Sequence, residues 1–216
     1  MDITYLGHSS FLLKSKEAKV VTDPFGAETG MKFPKLSADI VTVSHGHFDH
    51  NNVPGVDGEP RVFNWPGEYE KNGVRVFGFQ SYHDDKKGEE RGENVIFKFE
   101  MEGIHIVHLG DLGHKLSDGL IEDIGDVDIL MIPTGGHYTI NSAEAAEVVK
   151  QIDPSIVIPM HYATDAHSAE LREQLEPVDT FLQRVSVQAV EPIDKLSIKK
   201  EDLTGDDLKV IVMKVS

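Results

Sequence analysis

Cysteine is absent from this 216-residue chain. That one absence excludes disulfides, thiolate zinc sites, iron–sulfur clusters and a cysteine nucleophile together, and it fits a reducing compartment. Long apolar runs are missing too. No stretch approaches the ~20 residues a membrane span needs. The start, Met1-Asp2-Ile3-Thr4-Tyr5-Leu6-Gly7, carries neither the basic region nor the apolar core of a secretory signal and reads as a first strand. A cytoplasmic protein with no membrane span is therefore expected. Basic side chains are scarce, with 21 Lys and Arg against 37 Asp and Glu, a net charge of −16. Such a surface repels phosphate backbones, so nucleic acid is not an expected partner. A small-molecule substrate is, and a homo-oligomer is compatible with everything in the sequence.

The remaining composition is that of a globular protein, 39% hydrophobic and 27% charged. No composition break marks a linker, so residues 1–216 are expected to form a single domain. Short β-type runs fill the first half: Ile3–Leu6, Phe11–Lys14, Lys19–Thr22, and the continuous apolar run Asp39–Ser44, as in a buried strand. Pro66-Gly67-Glu68 reads as a turn. Val74–Tyr82 is the next long strand, and Val95–Met101 with Ile104–Leu109 form a hairpin closed at Glu102-Gly103. Strands and helices then alternate. The clearest helix is Ala143–Ile152, with Asn141 as N-cap and Glu144 three residues later. Val187–Val190 and Leu208–Val215 read as closing strands. This order suggests mixed sheets with helices outside.

Histidine is abundant at eleven residues, and its placement carries the chemistry. In Ser44-His45-Gly46-His47-Phe48-Asp49-His50, four metal-binding side chains fall within six residues directly after a buried strand. On an extended chain His45 and His47 share a side and can reach one ion. Asp49 and His50 are adjacent, so a turn is needed to aim both at a second ion. Gly46 would let the backbone bend close to the metals. Imidazole with carboxylate suits Zn²⁺, Mn²⁺ or Fe²⁺ rather than Ca²⁺.

His-x-His-x-Asp-His after a strand resembles the signature of the metallo-β-lactamase-fold superfamily. Gly7-His8-Ser9-Ser10-Phe11, Thr22-Asp23-Pro24-Phe25, Gly110-Asp111, Pro133-Thr134-Gly135-Gly136 and Pro159-Met160-His161-Tyr162 fall in the order that family shows. The branch it is most similar to comprises small hydrolases resembling ascorbate-6-phosphate lactonase. The resemblance implies an α/β (α+β) fold, an αββα sandwich of two mixed β-sheets flanked by helices. It implies two divalent ions, Zn or Mn with Fe also compatible. One would be held by His45, His47 and His83, the other by Asp49, His50 and His161, with Asp111 touching both. Two such ions about 3.5–4 Å apart can hold a bridging hydroxide at neutral pH. Hydrolysis of a lactone, ester, amide or phosphodiester is then the expected reaction, with Asp49 also able to orient the hydroxide.

Other residues stay open at this level. Asp23 is either a partner of a ligand imidazole or a turn residue before Pro24. His8 either faces the site or makes a structural hydrogen bond. His108 is expected to be a satisfied buried histidine, and His105 to alternate to the far face of its strand. His114, His137, Tyr138, Tyr162 and His167 fall in loops expected to rim the site, with His137 favoured for substrate contact or proton donation. Arg91 is a candidate anchor for an anionic substrate, although Lys86–Glu93 reads more simply as a mobile, solvated loop. Two other classes compete: a di-iron redox protein of the same fold, and a binding protein that keeps the fold without catalysis.

Overall fold

The computed structural model describes residues 1–188, 190–203 and 208–216. Among these described residues two mixed sheets lie face to face, flanked by four helices. The first has the order β12-β1-β2-β3-β4-β5. Its strands are β1 (Asp2–Gly7), β2 (Ser10–Lys14), β3 (Lys19–Thr22), β4 (Ile40–Thr42), β5 (Arg61–Phe63) and the two-residue edge β12 (Leu196–Ser197). The second has the order β13-β11-β10-β9-β8-β7-β6. It comprises β6 (Gly67–Lys71), β7 (Val74–Tyr82), β8 (Glu93–Met101), β9 (Ile104–His108), β10 (Ile129–Pro133), β11 (Ile156–Met160) and β13 (Lys209–Val210).

Apolar side chains facing inward from both sheets make the central core. Ile3, Phe11, Leu13 and Val20 of the first meet Val76, Phe97, Phe99, Ile106, Met131 and Ile158 of the second. A second cluster fills the space between β8–β11 and the helices α1 (Asp118–Ile124), α2 (Ser142–Ile152) and α4 (Val178–Arg184). The short helix α3 (Ala169–Gln174) buries none of its residues. The outer face of the first sheet is covered mainly by the irregular chain around Phe25, Met31 and Val56, which contains two single-turn 3₁₀ segments. Among the described residues no helix is long and apolar enough to cross a membrane.

Several local expectations hold. Asn141 accepts from the backbone N–H groups of Ala143 and Glu144, and Glu144 accepts from Asn141 N–H, completing the capping box. The β8–β9 hairpin turns at Glu102 (φ 50°) and Gly103 (φ 77°), left-handed values suited to a two-residue hairpin loop. Two expectations are corrected. Pro66-Gly67-Glu68 is not simply a turn, because Gly67 opens β6, an edge strand paired along β7. Of the expected strand Val187–Val190, the described residues 187, 188 and 190 belong to no strand. Val187 and Val190 follow α4 and pack against the helix-side cluster, and residue 189 lies outside the described residues. The edge strand in this region is β12, paired with β1. Of Leu208–Val215, Lys209–Val210 pairs with β11 and Met213 bridges to Ile193.

Candidate metal centre

Five strands deliver the candidate ligands and their neighbours from one end of the sandwich. His8 follows β1, His45 follows β4, His83 follows β7, Asp111 follows β9 and His161 follows β11. The segment after β4 leaves extended geometry at Ser44 and forms a turn closed by His50 N–H donating to His47 O at 3.1 Å. That turn aims Asp49 and His50 the same way, as their adjacency required. Among the described residues a group of Asp23, His45 and His50 overlaps two others, each with donor atoms within 4.8 Å of one another: His45, His47 and His83 in one, and His8, Asp49, His50 and His161 in the other. Asp111 lies between the latter two. Its Oδ2 is 3.2 Å from Nε2 of His50, 3.2 Å from that of His83, 3.3 Å from that of His161 and 3.9 Å from that of His45.

Tautomers follow from the hydrogen bonds. Ser44 Oγ donates to Asp23 Oδ2 at 2.6 Å, so the Ser44 oxygen accepts from His45 Nδ1 at 2.9 Å. His50 Nδ1 donates to the same Asp23 oxygen at 2.9 Å. Both rings are thereby left with an Nε2 lone pair facing the centre. Asp23, ambiguous in the sequence, is thus the residue that orients two imidazoles. Burial alone would raise its pKa, but the His50 hydrogen bond and neighbouring imidazoles hold it below the ordinary carboxylate value.

Buried polar atoms without partners test whether metal ions fit. Eight such side-chain atoms occur among the described residues, and four bear on this test: His45 Nε2, His50 Nε2, Asp49 Oδ1 and Asp111 Oδ1; two more, His83 Nδ1 and His161 Nδ1, lie on rings that turn Nε2 toward Asp111. A folded protein rarely leaves buried polar atoms unpaired, and a concentration of imidazole and carboxylate donors is what first-row divalent ions accept. The donor set therefore fits. The charge balance agrees: burial opposes ionisation of Asp111, yet His161 and His50 beside it hold its carboxyl well below the usual range. His8 is different. Its Nε2 meets Asp49 Oδ2 and its Nδ1 meets His167 Nε2, each at 3.2 Å, so neither nitrogen is spare. Burial, then His161, lowers the His8 pKa to about 3, and the same two causes lower that of His167 to about 4.

A cavity of about 560 Å³ opens over the cluster, with His47, Asp49, His83, Asp111 and His161 in its floor and Phe48, Arg91, Tyr138 and Leu171 in its walls. His137 is not among its lining residues. It is exposed, packed edge-on against Tyr138, and contributes only its carbonyl, which accepts from Arg91 Nη2 at 3.3 Å. Tyr138, the next residue and also expected at the rim, does line it. His108 is satisfied as expected: its Nε2 donates to Ser9 O at 2.7 Å and its Nδ1 accepts from Gly110 N–H at 3.1 Å. His114 accepts from Tyr82 N–H, and the Tyr162 hydroxyl donates to Met213 O, so both serve the scaffold.

Three contributors escaped sequence reasoning. Ser44 relays Asp23 to His45. Asn94 Oδ1 accepts from Asp111 N–H at 3.0 Å while its Nδ2 donates to Leu109 O at 2.9 Å, shaping the turn that presents Asp111. Asp84 gives the loop 86–93, exposed over most of its length as expected, an internal anchor. Its carboxylate accepts backbone N–H bonds from Lys86, Gly88, Glu90 and Arg91 at 2.7–3.0 Å, which folds the loop around it. Burial raises the Asp84 pKa, but those four donors prevail and hold it at about 2. Such a depressed carboxyl stabilises the folded loop fully above its ordinary value of 3.8, and that contribution is lost as pH falls toward about 2. Asp84→Ala is expected to speed hydrogen exchange of the Lys86, Gly88, Glu90 and Arg91 amides severalfold, with α2 amides unchanged. Unaltered exchange in the loop would contradict this.

Comparison with known proteins bears on the family and the fold. A family model described as a β-lactamase superfamily domain matches residues 2–161. A UPF0173 metal-dependent hydrolase of Archaeoglobus fulgidus is 30% identical over 196 residues, 76% of this chain and 84% of that protein. Another from Thermoplasma acidophilum is 32% identical over 190 residues, 76% of this chain and 84% of its own length. The crystal structure of a Thermotoga maritima protein, proposed there to be a zinc-dependent hydrolase of the metallo-β-lactamase superfamily, superposes with a TM-score of 0.80. It is 38% identical and covers 98% of this chain and 97% of its own.

Proposed function

The chain belongs to the metallo-β-lactamase superfamily, and from that premise we propose that it holds two divalent ions, Zn²⁺ or Mn²⁺, and uses them to hydrolyse a small molecule. At the coarser level it is a metal-dependent hydrolase. In the proposed centre His45, His47 and His83 hold one ion, Asp49, His50 and His161 hold the other, and Asp111 is shared. The observation that carries this reading is the place of Asp111 Oδ2, 3.2–3.9 Å from imidazole nitrogens of both groups. A bound pair of such ions supplies Lewis acidity and a water activated near neutral pH.

The protein's own part is orientation and electrostatics. Asp23 and Ser44 fix the His45 and His50 rings. Asp49 points one carboxylate oxygen, Oδ1, at no protein partner, and that atom is available to orient the attacking water. Phe48, Tyr138 and Leu171 give the cavity an apolar wall for the body of the substrate, and among the described residues Arg91 is the one Lys or Arg that lines it, beside Glu28, Glu90 and Glu170. Lactones, esters, amides and phosphodiesters all suit this arrangement.

A metal-resolved activity screen tests the reading. The metal-depleted protein, reloaded with Zn²⁺, Mn²⁺ or Fe²⁺, is tested against lactone and phosphodiester panels beside metal analysis by mass spectrometry. Two ions per chain with hydrolysis restored by Zn²⁺ or Mn²⁺ is the expected result. Two irons with oxygen consumption would favour the redox alternative, and two ions with no hydrolysis the binding alternative.

A further inference from the structure

Two buried histidines outside the proposed ligand set, His8 and His167, form a chain that ends on Asp49. The chain begins at a backbone amide. Thr164 N–H donates to His167 Nδ1 at 3.2 Å, and Thr164 Oγ1 lies 3.0 Å from the same nitrogen. A backbone N–H can only donate, so His167 Nδ1 must be the acceptor and the ring proton must sit on Nε2. His167 Nε2 is 3.2 Å from His8 Nδ1, so His8 accepts there and carries its own proton on Nε2. His8 Nε2 is 3.2 Å from Asp49 Oδ2 and donates to it. One main-chain amide thus sets the polarity of three successive hydrogen bonds.

The chain is held rigidly at both ends. His8 is fully buried with φ 55°, and its carbonyl accepts from the Tyr5 hydroxyl at 2.7 Å and from His161 N–H at 2.8 Å. His167 N–H returns to Thr164 O at 3.2 Å, and the next amide, Ser168 N–H, is anchored on Thr29 O at 2.9 Å. At the far end the two Asp49 oxygens are unequal: Oδ2 receives His8, while Oδ1 is buried without a partner. A carboxylate with no such anchor could present either oxygen, or swing away.

We propose that Thr164, His167 and His8 form a positioning relay that assigns Oδ2 of Asp49 to the protein and Oδ1 to the metal centre. His167, contributed by the loop after β11, is then a positioning residue acting through His8, with no contact to substrate. The proposal rests on the reading of Asp49 as a ligand of the second ion.

Long-range ¹H–¹⁵N correlation on histidine-labelled protein reads the tautomers directly and needs no substitution. Both His8 and His167 are expected as Nε2–H species in the metal-depleted and the metal-loaded protein. An Nδ1–H or doubly protonated ring at either position overturns the relay. Calorimetric titration of Mn²⁺ into metal-depleted protein reads its consequence. His167→Phe removes the link and is expected to weaken the second Mn²⁺ about 10–100-fold, the scale seen when a ligand loses its hydrogen-bonding support, while the first ion binds normally. His167→Gln, whose amide nitrogen can still donate to His8, should recover most of the loss. A His167→Phe protein that binds two ions as tightly as the unaltered one overturns the proposal. So does a loss that His167→Gln fails to repair, because a merely structural role predicts that. If the unaltered protein binds no second ion, the two-metal reading fails, and the tautomers alone decide whether the relay exists.

Discussion

Asp111→Asn is expected to yield a folded protein holding one divalent ion or fewer and hydrolysing at least ~100-fold more slowly, the scale on which active sites lose rate when an aimed charge is removed. The side chain keeps its shape, so packing is not the cause. Asp111 is 2% exposed, and its Oδ2 faces four imidazole Nε2 atoms, three of them at 3.2–3.3 Å. Of the seven proposed ligands only Asp49 and Asp111 are formal anions. With asparagine, Asp49 alone would offset two dications, and an amide NH₂ could face imidazole nitrogens that need a cation instead. His105→Gln is the matched control on the same β9–Asp111 segment. His105 is partly exposed, its backbone N–H is held by Asp128, and it lies near the start of β9, whereas Asp111 follows the strand's other end. General misfolding would affect both variants, whereas loss of the shared ligand affects one. Metal analysis beside turnover decides it. Full occupancy and near-normal turnover in Asp111→Asn would show that Asp111 is not the shared ligand.

The ease with which this centre can be read from sequence varies residue by residue, for physical reasons. His45, His47, Asp49 and His50 are contiguous and follow an apolar run, so local geometry alone suggests a shared purpose. His83, Asp111 and His161 each end a strand, and only the family resemblance joins them, because nothing local says which strand ends meet. Asp23 could not be resolved, since its partners Ser44 and His50 lie 21 and 27 residues away. Asp84 sits in a run of charges that reads as solvated chain, and its role appears only when four amides converge on it. His167 looks like a loop residue because its partner is His8, 159 residues distant. The strand errors have a similar origin. Pro66-Gly67 and three charged residues obscure β6, whose polar, exposed character is that of an edge strand. Val187 and Val190 carry β-branched side chains, but burial against the helices takes up their apolar surface.

Glycine offers a second large effect, and its sign runs against the motif. Gly46, inside His-Gly-His, invites the reading that the backbone must bend there. The structure says otherwise: Gly46 is exposed, is absent from the left-handed residues, and a Cβ built on it would meet nothing within 4 Å. Gly135, far from the motif, is constrained, as are Gly110 and Gly113. A Cβ on Gly135 would lie 2.0 Å from the His161 carbonyl oxygen and 3.1 Å from Leu175 Cδ2. Backbone cannot give way as a flexible side chain can. His161 is pinned on its other side, where its N–H donates to His8 O at 2.8 Å. Any added methyl must therefore push His161 against His8 or split β10 from the loop after β11, and either shift moves His161 Nε2 from its place 3.3 Å from Asp111. Gly135→Ala is expected to cost about 1–3 kcal/mol of stability, as overpacking does, lowering Tm by roughly 2–12 °C for a chain of this size. It should also release the ion proposed for Asp49, His50 and His161, leaving about one per chain. Gly46→Ala is expected to keep Tm and both ions. Thermal unfolding and metal analysis of the two variants, measured together, decide the matter. Loss of metal in Gly46→Ala with full occupancy in Gly135→Ala would mean that the turn after β4, and not the approach of the Gly135 backbone to His161, is the tight point of the centre.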